Sequence, residues 1–513
     1  MQTLDEARVA ADRLGLEGEP VPLPGEADRN FRVGDRVLKL HAPGFEPAVL
    51  DLQDAAMEHV AAAGLAVATP RLVRAARLDD GGMARVLTWV PGEPWAEAPR
   101  EAEALRSLGR AVAEVDAALA GFEHPGLERV LRWDMLRAAE LRGAAPPRGA
   151  AAPPCAAVPP PPPGAAGAVL ERFAEQVLPR LRALPAQAIH NDANEHNVLV
   201  GEDGRVSGLI DFGDLCRAPR VCGLAVACAY AMTALTVPER ELLPLVAGYH
   251  EVAPLAPEEL ALLGDLIRTR LAMSIAMAAL QRAEQPDNEY LLISQQGVTA
   301  LLARLGAVPP ELELLRLRDA CGYEAVPSAR TIRAHLQLAD PGPVCGTALD
   351  TAPVIDFSGD DPPPPPEPSL GRYLEDRRVY DSAAFEAELP GERRTLHLGV
   401  DVFLPAGEPI LAPLAGTVRA VEFRPSPRDW GGIVVLDHET EAGVGFHTLY
   451  GHLSRASTER LRPGDAVRRG DVVGELGDES ENGGWAPHLH LQLLTTDLGR
   501  GTDAHGVGTL AER

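Results

Sequence analysis

At 513 residues and 46 % hydrophobic content, the chain is too long for one domain and long enough for two or three with well-formed cores. A formal net charge of −26 disfavours nucleic acid or an anionic membrane surface as a partner and suits a small cationic one. The six cysteines, Cys155, Cys216, Cys222, Cys228, Cys321 and Cys345, form no CxxC or zinc-ribbon pattern and read as reduced thiols. No apolar run reaches the roughly eighteen residues of a membrane span, and no signal region opens the chain, so the cytoplasm is the expected compartment.

The opening segment, MQTLDEARVAADRLGL, reads as an amphipathic acidic helix. Two β-rich runs follow over residues 23–41, separated by a Gly34-Asp35 turn, and alternation points Lys39 away from Leu38 and Leu40. The next helical stretch, residues 48–63, offers Glu58. Taken singly, Lys39 and Glu58 suit solvent-facing positions. Residues 71–95 read as strands ending in the run Leu87 to Glu93, where a buried strand gives way to a Pro-Gly turn. Helices are expected over 101–120 and 133–142. Residues 143–167 are of low complexity, and their five consecutive prolines force polyproline II, so this is an exposed insertion.

Residues 188–214, AIHNDANEHNVLVGEDGRVSGLIDFGD, give two short strands that carry His190, Asp192, Asn197 and Asp211. In phosphoryl transfer a carboxylate orients the attacking hydroxyl, while an Asn and a second Asp hold the Mg²⁺ ions that neutralise the nucleotide's phosphates. Asp192, Asn197 and Asp211 have the right types and spacing. This stretch resembles the aminoglycoside phosphotransferase and choline kinase group, which shares the protein-kinase fold, and its wording is similar to the hydroxylysine kinase branch. The resemblance implies that Asp192 is the catalytic base, that Asn197 and Asp211 are Mg²⁺ ligands, and that His190 braces the loop. It further implies that Lys39 contacts the nucleotide phosphates and is held by Glu58, and that residues 87–93 form the hinge that binds adenine. Residues 25–31 would cover the phosphates, although they lack the GxGxxG of protein kinases.

Past Asp214, helical patterns run through Leu305 and suit an all-helical lower lobe. Two acidic clusters there, Glu239/Glu241 and Glu284/Asp287/Glu289, suit solvated helix ends or contact with an acceptor's ammonium group. Residues 308–390 read as a connecting segment: a Leu- and Arg-rich helix over 311–320 that can still belong to the kinase, then a linker at DFSGDDPPPPPEPS, after which another domain is expected to begin.

Between Leu396 and Leu494 the composition turns to Gly, Val, Leu and frequent turns, the mark of an all-β unit. It holds His397-x-x-x-Asp401, His452 and His488-x-His490. A catalytic zinc wants three N or O ligands and an open fourth position. Residues two apart on a strand share a face roughly 7 Å apart, so His488 and His490 can enter one site with only one binding the metal. His397 and Asp401 would lie roughly 13 Å apart on a straight strand, so the chain must bend, and Gly399 permits it. In this order, within residues 393–495, the pieces resemble the lysostaphin-like zinc endopeptidases, which cleave peptide cross-links in bacterial cell walls. The resemblance implies His397, Asp401 and His490 as zinc ligands, with His452 and His488 polarising water and stabilising the oxyanion. His438 and His447 fall outside the motifs and read as structural.

The expected architecture is multidomain: an α+β protein-kinase-like two-lobed fold followed by an all-β lysostaphin-type peptidase domain. Residues 1–95 form the N-lobe and hinge, 96–307 the helical C-lobe with its insertion, 308–390 the connection, 391–500 the peptidase domain and 501–513 a tail. The expected protein is bifunctional. Its kinase uses Mg²⁺ with ATP or GTP to phosphorylate the hydroxyl of a small cationic amine or amino alcohol, and its Zn²⁺ domain acts on a peptide or peptidoglycan fragment. Because the chain ends at Arg513, a pyridoxal-phosphate enzyme that uses the phosphorylated amine is expected to be separately encoded. The alternatives are a metallopeptidase regulated by its kinase-like part, or a zinc domain that only binds.

Overall fold

Short β-runs and amphipathic helices in the first half of the chain, and alternating strands in the second, close two separate cores in the computed structural model. It describes residues 2–24, 28–143, 163–284, 290–359, 365–380, 385 and 393–509. Two units result, Met1–Ala325 and Val326–Arg513. Most of the proline-rich insertion, part of the expected phosphate-covering loop, Asp287, Glu289 and residues 360–364 lie outside the described residues.

The first unit opens with a five-stranded antiparallel sheet in the order Val21–Leu23, Arg29–Val33, Arg36–His41, Met83–Thr88, Leu72–Arg77. Gly34, at φ +60°, opens the two-residue hairpin that sets Val33 opposite Arg36. That register sends Phe31, Val33, Leu38 and Leu40 to one face, where Ala7, Ala10 and Ala11 of the helix Gln2–Arg13 and Leu14 just past its end cover them. Lys39 falls on the other face, directly across from Arg85.

Below the sheet, helices pack around Val221–Met232, in which only Tyr230 is not fully buried. Ala102–Leu119 and Leu243–Val252 approach so closely that a Cβ on Gly109 would lie 1.9 Å from the Leu245 carbonyl oxygen. The helix Pro310–Ala320 also belongs here, tied by Arg268 to Glu313 at 2.6 Å, so this unit extends beyond the expected limit at 307. Within the insertion, residues 163–167 already lie in the helix Pro163–Arg172.

An eight-stranded sheet organises the second unit, in the order Val354–Ile355, Ser369–Gly371, Val400–Phe403, His488–Leu494, Gly445–Leu453, Gly431–Glu439, Gly416–Arg424, Ala466–Val467. Alternation buries Val434, Leu436, Tyr450 and Leu489 on one face and Ile433, Val435 and Leu449 on the other. The unit also takes in residues that precede 391. Ser369–Gly371 pairs with Val400–Phe403, and Cys345 is buried in the core. Strands of two or three residues carry no readable period, and the flanking prolines hid them. Residues 501–509 are likewise part of the unit, since Val507–Gly508 pairs with Leu396–His397. Among the described residues no helix is long and apolar enough to cross a membrane.

Candidate active sites

In the first unit, the strand Ala186–Ile189 delivers His190 into the core beside the loop that follows. Its Nδ1 accepts the Asp192 N–H at 3.3 Å, its Nε2 donates to the Ile210 carbonyl at 3.1 Å, and its ring meets Phe212 edge-on. Burial lowers its pKa to about 4, in keeping with a neutral ring that accepts at one nitrogen and donates at the other. His190 thus ties the loop of Asp192 to that of Asp211. Asn191 and Asp211 both adopt left-handed backbone, at φ +64°, which Asn and Asp tolerate better than most side chains.

The Asp192 carboxylate accepts the Asn197 amide at 2.6 Å and the Asn194 amide at 3.1 Å. Burial pushes its pKa up to about 7, opposed by Arg270, whose Nη2 lies 3.6 Å from Oδ1. Asn197 also donates to the Asp192 carbonyl, so its Nδ2 is engaged and its side-chain oxygen is left to accept or ligate. Lys39 Nζ lies 3.5 Å from Asp211 Oδ2. The amide oxygen of Asn197 and the carboxylate of Asp211 form the hard-oxygen donor set that could hold Mg²⁺.

Glu58 is not brought to Lys39. The buried arc of the helix Pro47–Ala62 runs through Leu50, Leu52, Ala56, Met57 and Val60, and Glu58 is exposed outside it. Asp54, one turn earlier, meets Arg85, which also donates to Gln53 at 2.8 Å. The helix is therefore tethered to the sheet through Arg85, the cross-strand neighbour of Lys39. Glu239 pairs with Arg304, and Glu241 accepts the Thr236 and Val237 amides, so both serve the helix framework.

In the second unit the chain bends after His397, and its Nε2 comes within 3.0 Å of Asp401 Oδ1. Gly399 is needed there for a second reason: a Cβ at that position would lie 2.4 Å from His490 Nε2. His490 Nδ1 is 3.3 Å from the same carboxylate oxygen and 2.9 Å from His397 Nε2. Both outer nitrogens are engaged, His397 Nδ1 with the Arg372 carbonyl at 3.0 Å and His490 Nε2 with Gln492 Oε1 at 3.2 Å. With those as the N–H donors, the inner atoms carry lone pairs, and Asp401 Oδ1 is buried without a hydrogen-bond partner. Three such atoms at this spacing fit a bound cation, since a tetrahedral zinc with bonds of about 2.0–2.1 Å has ligands about 3.3 Å apart. His397, Asp401 and His490 are the group that could hold a metal ion.

His452 and His488 stand beside this group with ring centroids 4.3 Å apart. Their Nδ1 atoms face the carbonyls of Asn482 and Ala486, which turns each Nε2 the other way, that of His488 to 3.6 Å from Asp401 Oδ1. Burial lowers the pKa of both and brings that of His490 to about 4. His438 and His447 have separate partners, Thr448 and Asp437.

Several supporting residues were not read from the sequence. Gln492 had a signal, since it continues the period-two face of His488 and His490. Arg377, which donates to Asp401 Oδ2 at 2.6 Å, lies past the proline-rich linker in the segment read only as a connection. Arg270 reaches Asp192 from the helix Pro257–Glu284, and Trp133, in a turn, lies against Arg270 and accepts the Asn191 amide at its carbonyl.

Residues 20–263 match the phosphotransferase enzyme family APH, and residues 395–501 match peptidase family M23. A hydroxylysine kinase of Danio rerio is 29 % identical over 311 residues, covering 55 % of this chain and 85 % of its own length. An uncharacterized metalloprotease of Haemophilus influenzae is 32 % identical over 97 residues, 19 % of this chain and 18 % of its own. A solved choline/ethanolamine kinase family protein from Mesorhizobium loti is 19 % identical, with a TM-score of 0.44, over 63 % of this chain and 99 % of its own. This chain carries an APH-family phosphotransferase domain of protein-kinase-like fold, with hydroxylysine kinases among its homologues, followed by a C-terminal domain of peptidase family M23.

Proposed function

We propose that the protein is bifunctional, and that its first unit transfers the γ-phosphate of ATP or GTP to the hydroxyl of a small amine or amino alcohol of the hydroxylysine kind. The observation that carries this reading is the clamp of Asn197 and Asn194 on Asp192, which leaves a fixed carboxylate to orient the attacking hydroxyl. Lys39, beside Asp211 in the structure, would turn to the phosphates when a nucleotide enters. Asn197 and Asp211 would hold Mg²⁺, which when bound supplies charge neutralisation on the phosphates.

The second unit is proposed to be a zinc endopeptidase. His397, Asp401 and His490 would hold Zn²⁺, which when bound supplies Lewis acidity. Neutral His452 and His488 would take the proton of the attacking water and donate a hydrogen bond to the oxyanion as it forms. Peptide or peptidoglycan fragments as substrates, a separately encoded pyridoxal-phosphate enzyme that uses the phosphorylated amine, and a cytoplasmic location belong to the same proposal.

The test is nucleotide consumption by the purified protein with Mg²⁺, using ATP and GTP against hydroxylysine, ethanolamine, choline and an aminoglycoside. Turnover with one acceptor class supports the kinase reading; none with any acceptor overturns it. Stoichiometric zinc without cleavage of any cross-bridge peptide would overturn the endopeptidase reading in favour of a binding role.

A further inference from the structure

Residues 122–129 run from the helix Pro47–Ala62 to the loop that carries Asp211, and each end is fixed by different chemistry. At the helix end, Phe122 is buried between two histidine rings, 5.2 Å from that of His59 on the helix and 6.2 Å from that of His124. His124 donates from Nε2 to Asp51 of the same helix at 3.2 Å and accepts the Gly126 N–H at Nδ1. Gly126 sits against the helix itself, where a Cβ would lie 3.0 Å from Leu52 Cβ and 3.2 Å from the Ala48 carbonyl oxygen.

At the other end, the half-buried Arg129 donates from Nη2 to the carbonyls of Gly213 and Leu215, the latter at 3.1 Å. These are the hydrogen bonds its guanidinium makes among the described residues, and its Nε is buried with none. The loop needs such a hold from outside. Asp211 stands in left-handed backbone and accepts the Gly213 N–H at 3.1 Å, and the last carbonyls of a turn as short as Phe212–Asp214 find no partner within it. Asp211 is also 3.5 Å from Lys39, whose cross-strand neighbour Arg85 meets Asp54 on the helix Pro47–Ala62. The helix therefore reaches Asp211 by two routes, through the sheet to Lys39 and through residues 122–129 to the loop.

We propose that Arg129 is a positioning residue for the nucleotide's metal ion: it fixes the backbone on which the Asp211 carboxylate stands, so that this carboxylate and the Asn197 amide oxygen meet the ion together. The proposal rests on the kinase reading above and adds to it a residue outside the stretch from His190 to Asp214. Arg129 acts through Asp211 and takes no part in the chemistry. Groups that orient a metal ligand in this way are usually worth about 10–100-fold in affinity.

The experiment titrates Mn²⁺, a paramagnetic substitute for Mg²⁺, into the full-length protein with one equivalent of Zn²⁺ and an equimolar non-hydrolysable analogue of ATP or, in parallel, of GTP. Electron paramagnetic resonance follows the ion held in the ternary complex. Arg129→Met is expected to weaken that binding about 10–100-fold, raising KM for the metal–nucleotide and leaving the acceptor KM near wild type. In an Asp211→Asn background the same substitution should cost under about twofold, because the carboxylate it positions is already gone. Equal losses in the two backgrounds would mean that Arg129 only stabilises the unit, and would overturn the proposal, as would unchanged affinity in Arg129→Met. Arg129→Gln, which shortens the side chain and removes its charge, carries the test if Arg129→Met does not fold: a loss confined to the background that keeps Asp211 supports the proposal, and affinity equal to wild type overturns it. A wild type that holds no Mn²⁺ with either nucleotide overturns the kinase reading and this inference with it, whereas binding that Arg129 leaves untouched overturns this inference alone.

Discussion

Arg377 donates through Nη1 to Asp401 Oδ2, and Asp401 Oδ1 is the oxygen that faces His397 and His490. The arginine is itself held by Glu375 at 2.8 Å, so it fixes which carboxylate oxygen is available to a metal. Arg377→Met is expected to lower zinc affinity about 10–100-fold, the usual effect of losing a group that orients a ligand. Competition with a chromogenic chelator measures this. Affinity equal to wild type would mean that Asp401 is held well enough by its strand alone.

Asp192→Ala removes the carboxylate that orients the hydroxyl and leaves Asn197 without its partner at 2.6 Å. Phosphoryl transfer should fall about 10²–10⁴-fold with native circular dichroism. Single-turnover kinetics on a saturated acceptor give the number, and a loss under tenfold would remove Asp192 from its role.

The helix Pro47–Ala62 carries two acids whose positions separate their effects. Glu58→Gln should leave nucleotide KM and melting temperature near wild type, because the side chain is exposed. Asp54→Asn breaks the contact with Arg85, which is 1 % exposed, and should destabilise the protein by about 1–3 kcal/mol and raise nucleotide KM. The opposite ranking in a paired denaturation and kinetics experiment would restore Glu58 as the partner of the sheet.

Asp116 is 1 % exposed and accepts the Tyr249 hydroxyl at 2.7 Å; burial raises its pKa to about 7, with the tyrosine opposing. Its folded pKa therefore lies above its unfolded value, and the native state binds the proton more tightly. The stability this contributes is complete below the unfolded pKa and is lost as pH rises towards about 7. The loss is at most about 1.4 kcal/mol per pH unit. Asp116→Asn keeps an oxygen for Tyr249 and cannot ionise, so its melting temperature relative to wild type should climb between pH 5 and pH 8. A constant difference across that range would show that Asp116 stays charged in the fold.

Both sites were legible where their residues sit in short contiguous motifs. His190 to Asp211 span one loop and hairpin, and His488 and His490 share a strand face, so residue type and spacing carried the information. Glu58 was misplaced because residue type alone does not fix a helix's rotation: Asp54 and Glu58 are one turn apart, and burial of Leu52, Ala56 and Val60 chose between them. Arg270 and Arg377 were invisible for another reason. Each meets its carboxylate only after the chain has folded back, and neither neighbourhood has a period that announces the meeting.

Pairing of Gly371 with Asp401 places a structural requirement on any fragment of the second unit. A polypeptide begun at residue 391 would lack Ser369–Gly371, and Val400–Phe403, the strand of Asp401 itself, would become a bare edge able to recruit another copy. It would also lack Arg377. A polypeptide begun at Val326 keeps that edge capped, so the self-association of the shorter piece and the solubility of the longer one are set by three residues of strand.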